Sequence, residues 1–478
     1  MTAGTETFAP APGHAAAPTR LALIGQVLCV IVPVALWFMP ADIDPITKHG
    51  LAISMFMVVA WITQAMDYTV AGFIGCFLYW ALGIVRFPVA FSGFANDTAW
   101  FLFSALLLGV IATQSGIARR LAFIIMLRIG TTYPRLLLGL IVTDFLLTFI
   151  VPSGVARLVI MAAIALGLVE VFRAGIGSNV ARGMFLILTY TANLFDKMII
   201  AGAGSITARG GIEKFGGVEV LWSKWFIAFL PCSIITVLAA WWLTLRLYPP
   251  EHVSLAGGRE YLRREFNKLG TWSTQEKKAA ALLAAAVALW LTDFAHHISP
   301  SMIGMGVVMF ALLPRVGILE AGDLRKVNYM PVFFVAAAIS MGNVLDATKG
   351  ITLLTDVIFG AIQPYFTSLF ATTVIMYWAG FVYHFFLASE ISMLGTSIPV
   401  VMNFAKSQGM APLLLGMIWT FAAGGKLFAY QSGVLIVGYS YGYFEARDLV
   451  RLGWWLTVVE FIVLLGLVQL YWPLIGVQ

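Results

Sequence analysis

The chain has 478 residues, of which 60% are hydrophobic and only 11% are charged, and its mean hydropathy is +0.91. Soluble domains carry about a quarter charged residues, and a soluble protein this apolar would expose patches that aggregate. The composition therefore excludes an ordinary soluble domain and indicates an integral membrane protein. The net charge of +6 does not indicate a nucleic-acid partner, and we expect none. In a membrane protein the position of the positive charges matters more than their sum.

The first 19 residues are rich in Ala, Pro and Thr and contain no Lys or Arg. They lack the positively charged start of a signal peptide, and we interpret residues 1–19 as a disordered cytoplasmic tail. The apolar run that follows is long enough to span a bilayer. Residues 20–45 are therefore predicted to hold the first transmembrane helix.

Further apolar segments of spanning length follow, and the whole chain predicts about eleven transmembrane helices. Two other stretches, near 138–170 and 371–403, are too long for one span and are broken by Pro, Gly or a charge. We predict that each is a re-entrant helical hairpin, which enters and leaves the membrane on the same side.

Lys and Arg residues outside the apolar segments cluster in 119–135, 173–182 and 246–278. The positive-inside rule assigns such clusters to the cytoplasm. We therefore predict a multi-pass protein of the bacterial inner (cytoplasmic) membrane, with the N-terminus cytoplasmic and the C-terminus periplasmic. Residues 247–277 form the only sizeable polar stretch, which we interpret as a cytoplasmic linker between two halves.

The two halves, residues 46–246 and 278–478, contain the same order of predicted segments. Each contains scaffold helices, an amphipathic stretch, a hairpin and a Gly-rich interrupted helix, near 185–215 in the first half and 412–440 in the second. Because each half has an odd number of predicted spans, the second copy must be inverted in the membrane. Inverted-topology repeats are typical of secondary transporters, whose substrate site lies near the bilayer midplane.

Short motifs stand at matched positions of the two halves. The hairpin tips read Ser153-Gly154-Val155 and Ser389-Glu390-Ile391, and the interrupted helices contain Gly202-Ala203-Gly204-Ser205 and Tyr430-Gln431-Ser432-Gly433. With these motifs and the ending Tyr471-Trp472-Pro473, residues 45–476 resemble the divalent anion/sodium symporter family. That family comprises dicarboxylate, citrate and sulfate transporters.

The resemblance implies a fold and a mechanism. It implies an elevator-type transporter, in which hairpins and interrupted helices slide as one unit against a scaffold that also forms a homodimer. Hairpin tips of the family read Ser-Asn-Thr, and its members use the Asn and Thr to hold a substrate carboxylate and sodium. Both Asn and both Thr are missing from this chain. The resemblance therefore implies a divergent member of the family, for which sodium is an alternative rather than an expected cofactor.

The first hairpin tip carries an arginine, Arg157, one helical turn after Ser153. A guanidinium at membrane depth is costly unless it is paired, and it matches the oxygens of an anion well. Two interpretations are open: direct capture of a substrate anion, or a salt bridge to Asp144 or Glu390. The residues predicted to bind substrate are Ser153, Gly154, Arg157, Ser389, Glu390 and Ser392.

The second tip carries an acid, Glu390, which is open to three interpretations. It is a proton carrier, the fixed partner of Arg157, or a direct ligand of a polar or cationic substrate group. His384 precedes it by six positions and either titrates with it or packs as an ordinary buried histidine.

Two lysines, Lys197 and Lys426, precede the loops that complete the sodium sites of the family. We hypothesise that their ammonium groups are tethered replacements for sodium; the alternative is that they snorkel to the interface or pair with Asp196 or Glu390. The residues predicted for a coupling or cation site are Asp196, Lys197, Gly202, Ala203, Lys426, Gln431, Ser432 and Gly433.

The sequence thus predicts a secondary active transporter of a small organic anion, a carboxylate or sulfonate, that is sodium-independent or proton-coupled. One alternative is a conventional sodium-coupled dicarboxylate or sulfate symporter whose sodium ligands are backbone carbonyls. An alternative of another class is a channel or a non-transporting membrane scaffold. No catalytic or metal-binding motif is present, so we expect neither an enzyme nor a metal or organic cofactor. The expected partners are the anionic substrate, the lipid bilayer and a second copy of the chain.

Overall fold

The computed structural model describes residues 20–130, 132–251, 256–360, 362–387 and 389–477, without the side chains of 20–22. The predicted tail, residues 1–19, lies outside the described residues. Of the described residues 78% are helical, and none of them lies in a strand. The predicted class, an all-α membrane protein, is confirmed.

The helices follow one another closely in both halves of the chain. Those of the first half are α1 Arg20–Phe38, α2 Pro45–Thr63, α3 Tyr68–Ala81, α4 Phe87–Ala90, α5 Asp97–Gln114, α6 Ile117–Ile129, α7 Tyr133–Thr148, α8 Gly154–Val171, α9 Asn179–Met198, α10 Ala203–Gly211 and α11 Trp222–Leu247. Those of the linker and the second half are α12 Gly258–Lys268, which lies in the linker, α13 Thr274–Leu291, α14 Asp293–His296, α15 Pro300–Ala311, α16 Met330–Ala347, α17 Gly350–Phe359, α18 Leu369–Phe385, α19 Glu390–Ser407, α20 Pro412–Ala422, α21 Gly433–Ser440 and α22 Ala446–Gly466.

Seven helical stretches of the described chain are long and apolar enough to cross a membrane. They are Pro45–Thr63, Asp97–Gln114, Gly154–Val171, Asn179–Gly216, Trp222–Leu247, Met330–Ala347 and Ala446–Tyr471. Six shorter apolar helices of 10–17 residues accompany them. The protein is therefore multi-pass, and the figure of about eleven spans stays a prediction.

The two predicted hairpins correspond to pairs of neighbouring helices. The first, expected near 138–170, is formed by α7 and α8, and the second, expected near 371–403, by α18 and α19. A serine caps the start of each returning helix: Ser153 Oγ accepts the N–H of Ala156, and Ser389 Oγ accepts the N–H of Ser392. Because a serine oxygen satisfies one of the free N–H groups at a helix start, both helices begin at the tip of their hairpin.

Each hairpin packs on the interrupted helix of the other half. Helix α8 contacts α21, and α19 contacts α10. The stretch Asn179–Gly216 contains α9 and α10, and its most apolar 18-residue segment is 94% buried, so this stretch lies in the interior of the molecule. This crossed packing brings both tips to the middle of the same helical unit.

The linker between the halves is fixed to the first half by one buried ion pair. Arg120 of α6 donates to Glu276 at 2.6 Å and 3.1 Å. The same guanidinium donates to the backbone oxygens of Leu269, Gly270 and Thr271. Since both side chains are at most 6% exposed, loss of either charge would leave the other unpaired.

We therefore predict that Arg120→Ala destabilises the protein by about 3 kcal/mol, because it leaves the buried Glu276 carboxylate without a positive partner. The thermal unfolding midpoint of the purified protein in detergent measures this loss. Arg119→Ala is the matched control: its side chain is 57% exposed and lies 3.6 Å from Glu265, so its effect should stay within about 0.5 kcal/mol.

We also expect the stability that the Arg120–Glu276 pair contributes to depend on pH. The hydrogen bond from Arg120 lowers the pKa of Glu276, so the pair stabilises the fold above the carboxyl's unfolded pKa. That contribution is lost as the pH falls through the lowered folded pKa. The stability gap between the wild type and Arg120→Ala should therefore narrow in acid, and a gap that widened would contradict the assignment.

Candidate functional site

A cavity of about 300 Å³ lies where the two hairpin tips and the two interrupted helices meet. All three residues of each tip line it: Ser153, Gly154 and Val155 from the first, Ser389, Glu390 and Ile391 from the second. The residues of the interrupted helices that line it include Asp196, Ala203, Gly204, Ser205, Ser432 and Gly433. The two predicted hairpin tips therefore border one common cavity.

The opposite wall of the cavity comes from α5 and from the starts of α3 and α16. It includes Tyr68, Asn328 and Pro331. The loop before α16 is held to the start of α13, where Gln275 donates to Gly317 O and Lys278 to Val316 O. The loop that leads to Asn328 and Pro331 is therefore bonded to the part of the chain that carries the linker.

Arg157 lies behind the first tip and is fully engaged by the protein. Its Nε donates to Asp144 at 3.0 Å, and its Nη2 donates to Asp196 at 2.9 Å. The remaining N–H groups donate to the backbone oxygens of Val151, Pro152 and Ala192. The side chain is 0% exposed, so all five donors of the guanidinium already have protein acceptors. Of the partners weighed from the sequence, Asp144 is bonded to Arg157, whereas Glu390 bonds Lys426 instead.

Lys426 lies behind the second tip in a similar arrangement. Its Nζ donates to Glu390 Oε2 and to Asn193 Oδ1, each at 2.6 Å. The side chain is 0% exposed, so the ammonium is buried at the second interrupted helix rather than snorkelling to an interface. The sequence analysis had weighed Glu390 as a partner and missed Asn193.

Lys197 is directed away from the cavity toward the last helix. Its ammonium lies 2.8 Å from Glu460 of α22, and both side chains are 3% exposed. The ring of Phe421 lies 5.0 Å from the same nitrogen. The alternative partner weighed from the sequence, Asp196, bonds Arg157 instead. Glu460 was missed, although a lone acid in an apolar helix is itself a signal of a functional or paired group.

Two carboxylates, those of Asp196 and Glu390, are the acidic groups that line the cavity, together with the phenol of Tyr68. The Asp196 side chain is 21% exposed and that of Glu390 is 12% exposed, whereas their cationic partners are 0% exposed. A Cβ on Gly154 would overlap Asp196 Oδ2, and one on Gly204 would lie 2.7 Å from Glu390 Cδ. The carboxylates therefore rest on the starts of α8 and α10, where helix dipoles favour negative charge.

The remaining predicted site residues support the cavity without lining it. Ser392 is buried, and its hydroxyl lies 3.0 Å from that of Ser389. Gln431 accepts the backbone N–H groups of Leu427 and Phe428, which fixes the loop after Lys426. Gly202 packs against Asp196. His384 is fully buried in α18.

The glycine beside Glu390 gives a test of this packing. Gly204→Ala should destabilise the protein by about 1–3 kcal/mol, because the new methyl group displaces the Glu390 carboxylate from Lys426. The control is Gly109→Ala in α5, where an added Cβ meets nothing within 4 Å and a helical Ala stabilises by up to about 1 kcal/mol. Equal unfolding midpoints for the two variants would contradict the close approach.

The buried pair Lys197–Glu460 gives a second test. Lys197→Met and Glu460→Leu should each cost about 3–5 kcal/mol, because each leaves one unpaired charge in an apolar interior. The double variant should recover most of this loss, since both charges are then gone. A thermal-unfolding double-mutant cycle measures the coupling, and additive losses would show that the two groups do not interact.

Comparison with known proteins identifies the family. The sequence model of the family described as "Sodium:sulfate symporter transmembrane region" matches residues 20–478. The L-tartrate/succinate antiporter of Escherichia coli (strain UTI89 / UPEC) is 24% identical, over 93% of this chain and 96% of that protein. The protein of the same name from Shigella flexneri is 26% identical over 80% of each chain. A protein from Cupriavidus necator named "Membrane protein" is 24% identical, over 91% of this chain and 89% of its own. The chain belongs to the sodium:sulfate symporter family, as its motifs implied.

Proposed function

We propose that this protein is a secondary active transporter that moves a small organic anion across the cytoplasmic membrane. Membership of an anion-transporter family supports the general activity. The observation that carries the proposal is the single cavity bordered by both hairpin tips and both interrupted helices. Its volume of about 300 Å³ is in the range of small-molecule sites.

The substrate we favour is a dicarboxylate, transported by exchange. Two relatives that align with most of this chain are named L-tartrate/succinate antiporters. Ser153 and Ser389 line the cavity, and their hydroxyl oxygens cap α8 and α19. A capping hydroxyl accepts a backbone N–H and still has a hydrogen of its own, which in Ser389 is shared with the neighbouring hydroxyl of Ser392. Short, polar, negatively charged molecules match such a lining.

The movement we propose is an elevator motion of one helical unit. That unit comprises the hairpins α7–α8 and α18–α19 with the interrupted helices α9–α10 and α20–α21, which pack on one another across the two halves. The scaffold comprises helices such as α2, α3, α5 and α16, and it also forms the proposed homodimer. Residues 46–246 and 278–478 are the proposed inverted repeats, joined by the linker 247–277.

The orientation we propose follows from the basic residues. The linker helix α12 contains Arg259, Arg263, Arg264 and Lys268. We propose that the cavity opens toward this linker face, to which the loop before α16 is bonded. If this face is cytoplasmic, as the positive-inside rule favours, the cavity is open to the cytoplasm. The N-terminus is then cytoplasmic and the C-terminus periplasmic.

We further propose that transport does not require sodium. Lys426 places a positive charge at the second interrupted helix, and Arg157 places another at the first tip. Arg157 then acts as a positioning residue that holds the tip rather than as a direct ligand, because its donors are already engaged. Lys197 pairs with Glu460 and so links α9 to α22 on the side of α9 that faces away from the cavity.

A sodium-coupled symporter is the second candidate, and one observation favours it. The backbone oxygens of Asp196, Ile199 and Gly202 converge on the Ser205 hydroxyl at 2.7–3.1 Å. One hydroxyl donates a single hydrogen, so this carbonyl cluster has acceptor capacity to spare for a cation. The family's description also includes sodium.

Uptake into proteoliposomes distinguishes the two candidates. We expect labelled succinate to enter vesicles preloaded with succinate or L-tartrate at the same initial rate in choline and in sodium buffer. Lys426→Ala should abolish the uptake seen in choline, because it removes the tethered cation. Lys406→Ala, at the exposed end of α19, is the control and should leave the rate unchanged. A strong stimulation of wild-type uptake by sodium would contradict sodium independence.

A further inference from the structure

The buried charges around the cavity do not balance. Four acidic and three basic side chains form the group: Asp144 of α7, Arg157 of α8, Asp196 and Lys197 of α9, Glu390 of α19, Lys426 after α20, and Glu460 of α22. The imidazole of His384 in α18 lies near Lys426. When every acid is ionised and the imidazole is neutral, the group carries one excess negative charge.

The ion pairs locate the excess charge. Glu460 neutralises Lys197, and Glu390 neutralises Lys426. Arg157 is shared by Asp144 and Asp196, at 3.0 Å and 2.9 Å. Of these two acids Asp144 is 1% exposed, whereas Asp196 is 21% exposed and lines the cavity. The excess negative charge therefore lies on Asp196, next to the space that the substrate would enter.

Asp196 and Glu390 line the same cavity, and each keeps one oxygen apart from its cation. Asp196 Oδ1 accepts from Arg157, while Oδ2 lies against Gly154. Glu390 Oε2 accepts from Lys426, while Oε1 lies against Gly204. Two carboxylates in one poorly solvated site disfavour joint ionisation. An entering anion adds further repulsion at low dielectric.

We propose that Asp196 and Glu390 form a proton site, which takes up one proton when a substrate anion enters the cavity. The inference rests on the proposed function, because it assigns the coupling ion of that transporter. The proton comes from water at the cavity mouth and binds Asp196 Oδ2, since Oδ1 stays bonded to Arg157. The new O–H then donates a hydrogen bond to the anion. The Asp196 carboxylate, which would repel the anion, thus becomes a carboxyl group that binds it. Proton and anion leave together on the other side of the membrane.

Calorimetric titration of the purified full-length protein tests this assignment with succinate and L-tartrate as probes. Titrations in two buffers of different ionisation enthalpy count the protons taken up. We expect about one proton per bound succinate, and an affinity that falls by about tenfold per pH unit above the titration of the pair. The wild type alone gives this result, so the test does not depend on the folding of a variant.

Variants then locate the proton. Asp196→Asn should still bind succinate but take up no proton, and its affinity should vary by less than about twofold per pH unit. Glu213→Gln is the matched control, because Glu213 is a partly buried acid paired with Arg209 in a separate cavity of about 320 Å³. It should keep the wild-type proton count.

Three results would overturn the inference. They are wild-type binding without proton uptake, binding that requires sodium in place of a proton, and an unchanged proton count in Asp196→Asn. In each of these cases an anion still binds, so the proposed function survives. Absence of binding by either anion at any pH would instead contradict the proposed function, and the inference with it.

Discussion

The interior of this protein depends on one constraint: each charge buried among apolar helices needs a partner supplied by the protein. Helix α9 takes part in all three groups of buried polar contacts around the cavity. Its Asp196 bonds Arg157, its Lys197 bonds Glu460, and its Asn193 accepts from Lys426. These bonds tie α9 to the first hairpin, to the last helix and to the second interrupted helix. The positions of both hairpin tips therefore depend on the contacts of helix α9.

This arrangement has a consequence for the chemistry of the cavity. Arg157 and Lys426 are buried and hydrogen-bonded to the protein, and neither lines the cavity. The carboxylates of Asp196 and Glu390 do line it, and they pack on the starts of two helices. A site for an anion would be expected to present its positive charges. The proposed proton site explains how an anion binds beside these carboxylates. A protonated carboxyl group donates a hydrogen bond to the anion, whereas a carboxylate would repel it. The missing Asn and Thr of both tips fit a site that works by charge neutralisation instead of amide and hydroxyl contacts.

Much of the architecture was predictable because it rests on local patterns. Composition indicated membrane helices, and breaks at Ser153 and Ser389 marked the two helix pairs to within a few residues of α7–α8 and α18–α19. The pairing of charges was not predictable in the same way. Lys197 and Glu460 are separated by 263 positions, and partner choice among several acids depends on helix rotation, which the sequence pattern does not fix. The bonding of Arg157 to both Asp144 and Asp196 could not be read from spacing for the same reason.

A cryo-EM structure of the protein with succinate or L-tartrate tests the central claim most directly. The account predicts anion density between Ser153 and Ser389, in contact with Asp196, with Arg157 and Lys426 still bonded to their protein partners. Density at another place, or hairpin tips that lie apart with no shared cavity, would contradict it.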